Sequence, residues 1–177
     1  MSQKDEQADE LFFVVDEHNH PLEPLPRRLV HGHGVWHRVS HVWIINNAGQ
    51  ILCQRRASIK EINPDKWEAF FGGHLAPGES DEQGALRETR EELELRFALP
   101  DLRKWKIHRR FHPSGYNNEF QAIFMVRWNG SIDEVKFDSS EVAQVAWRSK
   151  AEVRQAFLQK DKGWTFTGYE LELLETL

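Results

Sequence analysis

Apolar residues along this chain come in short runs, divided by turn-forming stretches, that read mainly as strands. Leu11–Val15 (LFFVV) predicts a strand, and Asp16-Glu17-His18-Asn19-His20-Pro21 ends it. Pro24 and Pro26 keep the next stretch extended. β-branched and aromatic residues dominate from Arg38 to Ile45. Asn46-Asn47-Ala48-Gly49 interrupts them and Ile51–Arg56 resumes, so the pair predicts a hairpin. Trp67–Phe71 is a further short strand running into Gly72-Gly73. Lys106–Phe111 and Glu119–Trp128 follow as strands, joined by the turn-rich His112-Pro113-Ser114-Gly115. In the second of these, Phe120, Ala122, Phe124, Val126 and Trp128 share one face at period two, which turns Glu119 and Gln121 the other way. Val142–Trp147 predicts another strand.

Helices are marked by their caps. Ser80 and Gln83 form an S-x-x-Q capping box, with Asp81 and Glu82 in the first turn where the helix dipole favours anions. That helix runs from about Asp81 to Leu93. Ser149 with Glu152, and Thr167 with Glu170, cap two more. Strands interspersed with helices predict an α/β fold, a mixed β-sheet with helices on both faces.

The 177 residues fit one domain, 11–177, behind an acidic flexible tail, 1–10. A chain of this size buries about 70% of its unfolded surface and needs no covalent staple. Asp and Glu number 28 against 23 Lys and Arg, which argues against a nucleic-acid partner, since phosphate-backbone binding needs a basic surface. No apolar run approaches the ~18–20 residues of a membrane span. Met1–Glu10 lacks the apolar core of a secretory signal. Cys53 is the only cysteine, which excludes an internal disulfide and a cysteine-rich zinc site and fits a reducing, cytoplasmic setting. Monomer and homodimer both stay open. Nine histidines are many for such a chain, and five fall between His31 and His74.

The chemistry concentrates in Gly73–Leu95, GHLAPGESDEQGALRETREELEL. Glu88, Glu91 and Glu92 stand at i, i+3 and i+4, so three carboxylates share one helix face and repel one another. Solvation relieves that repulsion in an ordinary acidic face. A hard divalent cation relieves it in a metal site. The flanks favour the cation: the loop Gly73–Glu79 feeds the helix and its glycines admit close approach of a ligand. An Arg87–Glu79 pair would tie that loop to the helix.

The spacing resembles the Nudix signature G-x5-E-x7-R-E-U-x-E-E-x-G-U, with Gly73, Glu79, Arg87, Glu88, Glu91, Glu92 and Leu95 on its fixed positions. Thr89 replaces the aliphatic residue and keeps a methyl group. Glu94 replaces the glycine that ends the helix. The wider pattern is similar to the isopentenyl-diphosphate isomerase branch and its hydrolase-like relatives. It rests on Val30-His31, Trp36-His37-Arg38, His41-Val42-Trp43-Ile44, Gln54 to Lys60, Pro64 to Trp67, Gly73-His74, Asn117-Asn118-Glu119 and Trp164-Thr165-Phe166.

The resemblance implies a Nudix α/β/α sandwich and a set of roles. Glu88, Glu91 and Glu92, with the carbonyl of Gly73, would bind Mg²⁺ or Mn²⁺. Glu91 or Glu88 would act as general base. Arg56 and Lys60 would grip the diphosphate and Trp164 would line the substrate pocket. His31, His37, His74 and Glu119 match most of a second, transition-metal site, although Asn117 stands where the isomerases carry a further Glu. The isomerases also place their catalytic Cys immediately before Gly-His, and here that position is Gly72. A glycine has no group to move a proton, whereas metal-assisted hydrolysis of a phosphoanhydride needs no thiol. The sequence therefore implies a metal-dependent hydrolase of a small-molecule diphosphate, nucleoside- or isoprenoid-type. Its rivals are an altered isomerase and a non-catalytic diphosphate-binding module.

Overall fold

The strand with the densest β-branched and aromatic content, His37–Ile45, is the spine of a seven-stranded mixed sheet in the computed structural model, which describes residues 8–60, 62–112 and 115–177. In chain order the elements are β1 (Leu11–Phe12), β2 (Leu25–Pro26), α1 (Arg27–His33), β3 (His37–Ile45), β4 (Gln50–Arg56), β5 (Trp67–Glu68) and β6 (Phe71–His74). They continue with α2 (Asp81–Leu93), β7 (Arg103–Arg110), β8 (Glu119–Arg127), β9 (Val142–Ser149), α3 (Lys150–Leu158) and α4 (Glu170–Thr176). β3 runs parallel to β8, in register from His37↔Glu119 to Ile45↔Arg127, and antiparallel to β6 and β4. β4 carries β5 and β9 on the outside. β1 and β2 form a separate two-stranded ribbon.

Period-two alternation divides the core between two faces. Val42 and Ile44 of β3, with Ala122, Phe124 and Val126 of β8, pack against Ala85 and Leu93 of α2. Trp43 and Ile45, with Ile123, pack against Val153 of α3 and Leu173 and Leu174 of α4. The expected mixed sheet with helices on both faces is present, and Glu119 and Gln121 turn away from the α2 face. Among the described residues no helix is long and apolar enough to cross a membrane.

Four local expectations are corrected. The prolines at 24 and 26 do not hold the chain extended beyond Pro26, which instead becomes the N-cap of α1; a first-turn proline is tolerated because its missing N–H has no helical partner there. Trp67–Phe71 is not one strand: β5 pairs with β4, and the chain then crosses to β3 as β6, with Gln54 Nε2 donating to Phe70 O at 3.0 Å in the crossing. Strand β7 begins at Arg103, earlier than Lys106. Thr167 does not itself cap α4, whose N-cap is Tyr169; its N–H and hydroxyl instead donate to Glu170 Oε1 at 2.6 and 2.9 Å. Of the expected tail, residues 1–7 lie outside the described residues, while Asp9 and Glu10 pair with Arg28 and Arg27 at 3.1 and 3.8 Å. Pro113 and Ser114 of the expected turn also lie outside them.

α2 forms as its caps direct. Ser80 Oγ accepts from Gln83 N and the Gln83 side chain accepts from Ser80 N. Thr89 is fully buried and donates its hydroxyl back to Ala85 O at 2.9 Å, so the polar replacement costs no unpaired group. Glu94 takes the left-handed conformation, φ 53°, that a glycine would adopt freely. That conformation costs a residue with Cβ about 1–2 kcal/mol. Glycine returns about 0.5–1 of this as unfolded-chain entropy. Glu94→Gly should raise stability by about 0.5–1 kcal/mol in urea unfolding; a decrease would show that the glutamate is held there by something other than cap geometry.

Candidate active site

Arg87 organises the loop between β6 and α2. Its Nε and one terminal nitrogen donate to the two oxygens of Glu79 at 2.9 and 3.0 Å. The same terminal nitrogen donates to His74 O at 3.0 Å. The other donates to Glu88 at 2.8 Å and Glu91 at 3.1 Å. The tie between loop and helix is thus a planar guanidinium read from three sides. Burial alone would raise the Glu79 carboxyl, but the Arg87 and Ala76 hydrogen bonds leave it below the ordinary range.

The three helix carboxylates differ sharply. Glu91 is half exposed. Glu88 is largely buried, and burial lifts its pKa to about 7 against the pull of Arg87. Glu92 is half-buried, contrary to an exposed-face reading of E-x-x-E-E; desolvation and then the Glu88 charge push it well above the carboxylate range, although Gly72 N–H donates to it at 3.0 Å. A Cβ on Gly73 would lie 2.7 Å from Glu88 Oε1, so glycine is what lets this carboxylate stand against the loop.

Gly72 and Gly73 form part of the floor of a cleft of about 1040 Å³. Arg56, Lys60 and Trp164 line it, as the resemblance implied. Arg56 is held 3.5 Å from the buried Glu68 and donates to Ile62 O; Lys60 pairs with Glu141 at 2.5 Å. Trp164 lies parallel to Phe166, with ring centroids 5.8 Å apart. Among the cleft residues that the sequence did not point to are Glu68, Arg110 and Glu141. Glu68 ends β5, Arg110 ends β7 and Glu141 precedes β9, and strand alternation does not distinguish a cleft wall from a buried face.

The histidines converge. One ring nitrogen each of His31, His37 and His74 lies within 4.8 Å of the others. They come from α1, the start of β3 and the end of β6. His37 Nδ1 sits 2.9 Å from Val35 O, which places its hydrogen there and leaves Nε2 with a free lone pair. His31 Nε2 and His37 Nε2 are both buried without a partner. Burial depresses all three rings, His31 to about 4, so they are neutral imidazoles of the kind that could ligate a metal. Glu119 stands beside His37 in the ladder but outside this convergent set. Its oxygens accept from Asn117 Nδ2 and Gln121 Nε2, each at 2.6 Å, and Arg110 lies at 3.3 Å. Against the upward push of burial, the fields of His37, Arg110 and His41 hold it below the usual carboxylate value.

The NUDIX domain family model matches residues 35–168. An uncharacterized Nudix hydrolase of Streptomyces coelicolor is 30% identical over 79% of this chain and 73% of its own length. An isopentenyl-diphosphate Delta-isomerase of Paenarthrobacter aurescens is likewise 30% identical, over 81% and 78%. In fold, a crystal structure of a Deinococcus radiodurans protein superposes with a TM-score of 0.71 at 21% identity, over 94% of this chain and 98% of that one.

Glu88 makes the site's electrostatics measurable. Its folded pKa near 7 lies above the ordinary 4.5, so folding favours the protonated acid. That stabilisation is complete below the unfolded pKa and is lost as pH rises through the folded one. Without divalent cation, wild type should lose about 2–3 kcal/mol relative to Glu88→Gln between about pH 5 and 8. The buried histidines titrate in both proteins and cancel. A stability difference that stays constant across that range would refute the buried acid.

Proposed function

The chain belongs to the NUDIX family, and from that premise we propose that it hydrolyses a diphosphate linkage in a small molecule, with Mg²⁺ or Mn²⁺ held by Glu88, Glu91 and Glu92. The observation that carries this reading is the Arg87-centred cluster, whose Glu92 and Glu88 abut Gly72 and Gly73 at the cleft floor. The donor set fits a hard cation: every donor atom is oxygen, the Gly73 carbonyl included. Burial and mutual repulsion raise the pKa of two of the carboxylates, and a cation would offset that rise.

When bound, the cation supplies Lewis acidity toward the diphosphate and its attacking water. The chain's own residues do the rest. Arg56 and Lys60 bind the outer phosphate, Lys60 exchanging Glu141 for it. Glu91, the most exposed of the three carboxylates, takes the proton of the attacking water, with Glu88 beside it. Arg87 fixes both carboxylates in place, and Trp164 walls the organic half of the substrate. His31, His37 and His74 form a second site suited to a borderline cation such as Zn²⁺ or Mn²⁺, with Glu119 as the nearby carboxylate.

The isomerase alternative has less support. Gly72 sits at φ 143°, and a Cβ there would lie 1.9 Å from Ser40 O, so the backbone leaves no room for a thiol at that position. Glu119 is held by donors on both oxygens, with Asn117 among them, which suits a fixed anion better than a proton carrier. A pure binding module would have no use for the full carboxylate cluster.

Nucleoside diphosphates, nucleotide sugars, dinucleotides and isoprenoid diphosphates should be assayed for release of phosphate or a monophosphate. Turnover of at least one class should require Mg²⁺ or Mn²⁺. Glu91→Gln should keep the wild-type melting temperature and lose at least about 100-fold in kcat/KM; wild-type turnover by this variant would dispose of the cluster. Solvent deuterium should not enter isopentenyl diphosphate; exchange that disappears in Glu119→Gln would favour the isomerase.

The histidine site makes a separate expectation. Protein purified without chelator should carry about one transition metal per chain, and His74→Ala should lose it. Elemental analysis checks this, and a metal content near zero would remove the second site.

A further inference from the structure

His41 lies across the ladder from Gly72, on the same face of β3 as His37. It is 6% exposed, and its ring stacks on Phe70 with centroids 3.8 Å apart and planes 16° apart. It also lines the cleft, so only an edge of the ring reaches that space. Which edge follows from its partners. Trp43 Nε1 can only donate, and it donates to Tyr169 Oη at 3.1 Å. Tyr169 therefore spends a lone pair on Trp43 and keeps its hydrogen to give. Two acceptors stand beside that hydrogen, the Thr167 hydroxyl and His41 Nδ1, and only His41 Nδ1 lies within hydrogen-bond distance, at 2.9 Å. An imidazole that accepts at Nδ1 carries its proton on Nε2 when neutral, and burial keeps this ring neutral, its pKa near 3. No described residue accepts from Nε2. A nearly buried N–H, fixed in direction by two further side chains and left without a partner, faces the cleft.

Resting on the hydrolase reading above, we propose that His41 is a specificity-determining residue whose Nε2–H donates to a neutral acceptor oxygen or nitrogen in the organic half of the diphosphate substrate. The diphosphate has its own cations in Arg56 and Lys60, whereas this neutral ring is acted on by the Glu119 carboxylate and the Arg110 guanidinium paired with it at 3.3 Å, so the donor is matched to a neutral acceptor. The flat, apolar surroundings, Phe70 behind the ring and Trp164 and Phe166 in the same cleft, suit a planar or ring-bearing group with polar edges. A hydrocarbon chain would leave the donor desolvated and unpaired, which disfavours it. The substrate class this selects is a nucleoside- or sugar-type diphosphate over a prenyl one. Tyr169 and Trp43 are positioning residues, acting only through the ring.

ADP-ribose and geranyl diphosphate separate the two chemistries, since only the first has acceptors in its organic half. His41→Phe keeps the stacking and removes the donor. It should lower kcat/KM for ADP-ribose about tenfold and should not lower it for geranyl diphosphate, for which it removes an unpaired donor; an unchanged ratio overturns the proposal. Should neither probe be turned over by wild type, the hydrolase reading fails on these substrates, and ¹⁵N spectra of histidine-labelled wild type judge His41 by itself. The expected spectrum shows a neutral ring with hydrogen on Nε2, shifted by ADP-ribose and not by geranyl diphosphate, and a mixture of tautomers in Tyr169→Phe. A proton on Nδ1, an equal shift with both probes, or no shift with either overturns the proposal. These spectra also decide the question if His41→Phe does not fold.

Discussion

Arg87 is the group on which the site depends, because its guanidinium donates to five acidic or carbonyl oxygens of four residues at the junction of loop and helix. Glu79 anchors it from the loop, Glu88 and Glu91 from the helix, and the carbonyl of His74 from the end of β6. Without that charge the helix would bring three carboxylates together, two of them away from water, and their repulsion would oppose both the helix turn and the loop that lies on it. With it, the loop closes onto α2, Gly73 comes against Glu88, and Gly72 N–H reaches Glu92. The guanidinium leaves the cluster still short of positive charge, and this imbalance is what supports the proposed divalent cation.

The sheet does the remaining positioning. β3 contributes His37 and His41 to one face and hands Val42 and Ile44 to the other, so a single strand serves the cleft and the α2 core together. Its parallel partner β8 sets Glu119 beside His37, and its antiparallel partner β6 sets Gly72 beside His41 and ends at His74. Strands of opposite direction meeting at one end of β3 bring side chains about 40 to 80 residues apart in sequence into one wall.

The α2 helix, its capping box and the Arg87–Glu79 pair were legible because they depend on short spacings along one element. The same holds for the β3–β4 hairpin and the alternating face of β8. The α1 helix was not legible: its seven residues lie behind two prolines and bury only Val30. Nor was the break between β5 and β6, since five consecutive residues with strand character do not reveal that the chain changes partner midway. The partial covering of Glu92 escaped for a different reason. Helical spacing gives the face a side chain shares, and the loop that covers the face is set by Arg87 and the two glycines. The convergence of His31, His37 and His74 depends on α1, β3 and β6 meeting in space, and sequence alone supplied it only through family resemblance.

Two departures from the isomerase pattern belong to one physical arrangement. At Gly72 the backbone adopts a conformation that L side chains avoid and approaches Ser40 O too closely for a Cβ. At Asn117 a residue that would have been a second anion is a donor, and it turns its amide onto Glu119. The first change leaves the cleft floor with backbone N–H and no acid. The second turns a pair of carboxylates into one carboxylate with a satisfied oxygen. Each lowers the capacity to pass a proton to and from a carbon skeleton, and neither touches Arg87, Glu88, Glu91 or Glu92. The carboxylates and cations proposed to act between phosphate and water are intact while groups suited to moving protons on carbon are absent or immobilised, and this contrast is what favours the proposed hydrolysis of a phosphoanhydride over isomerisation.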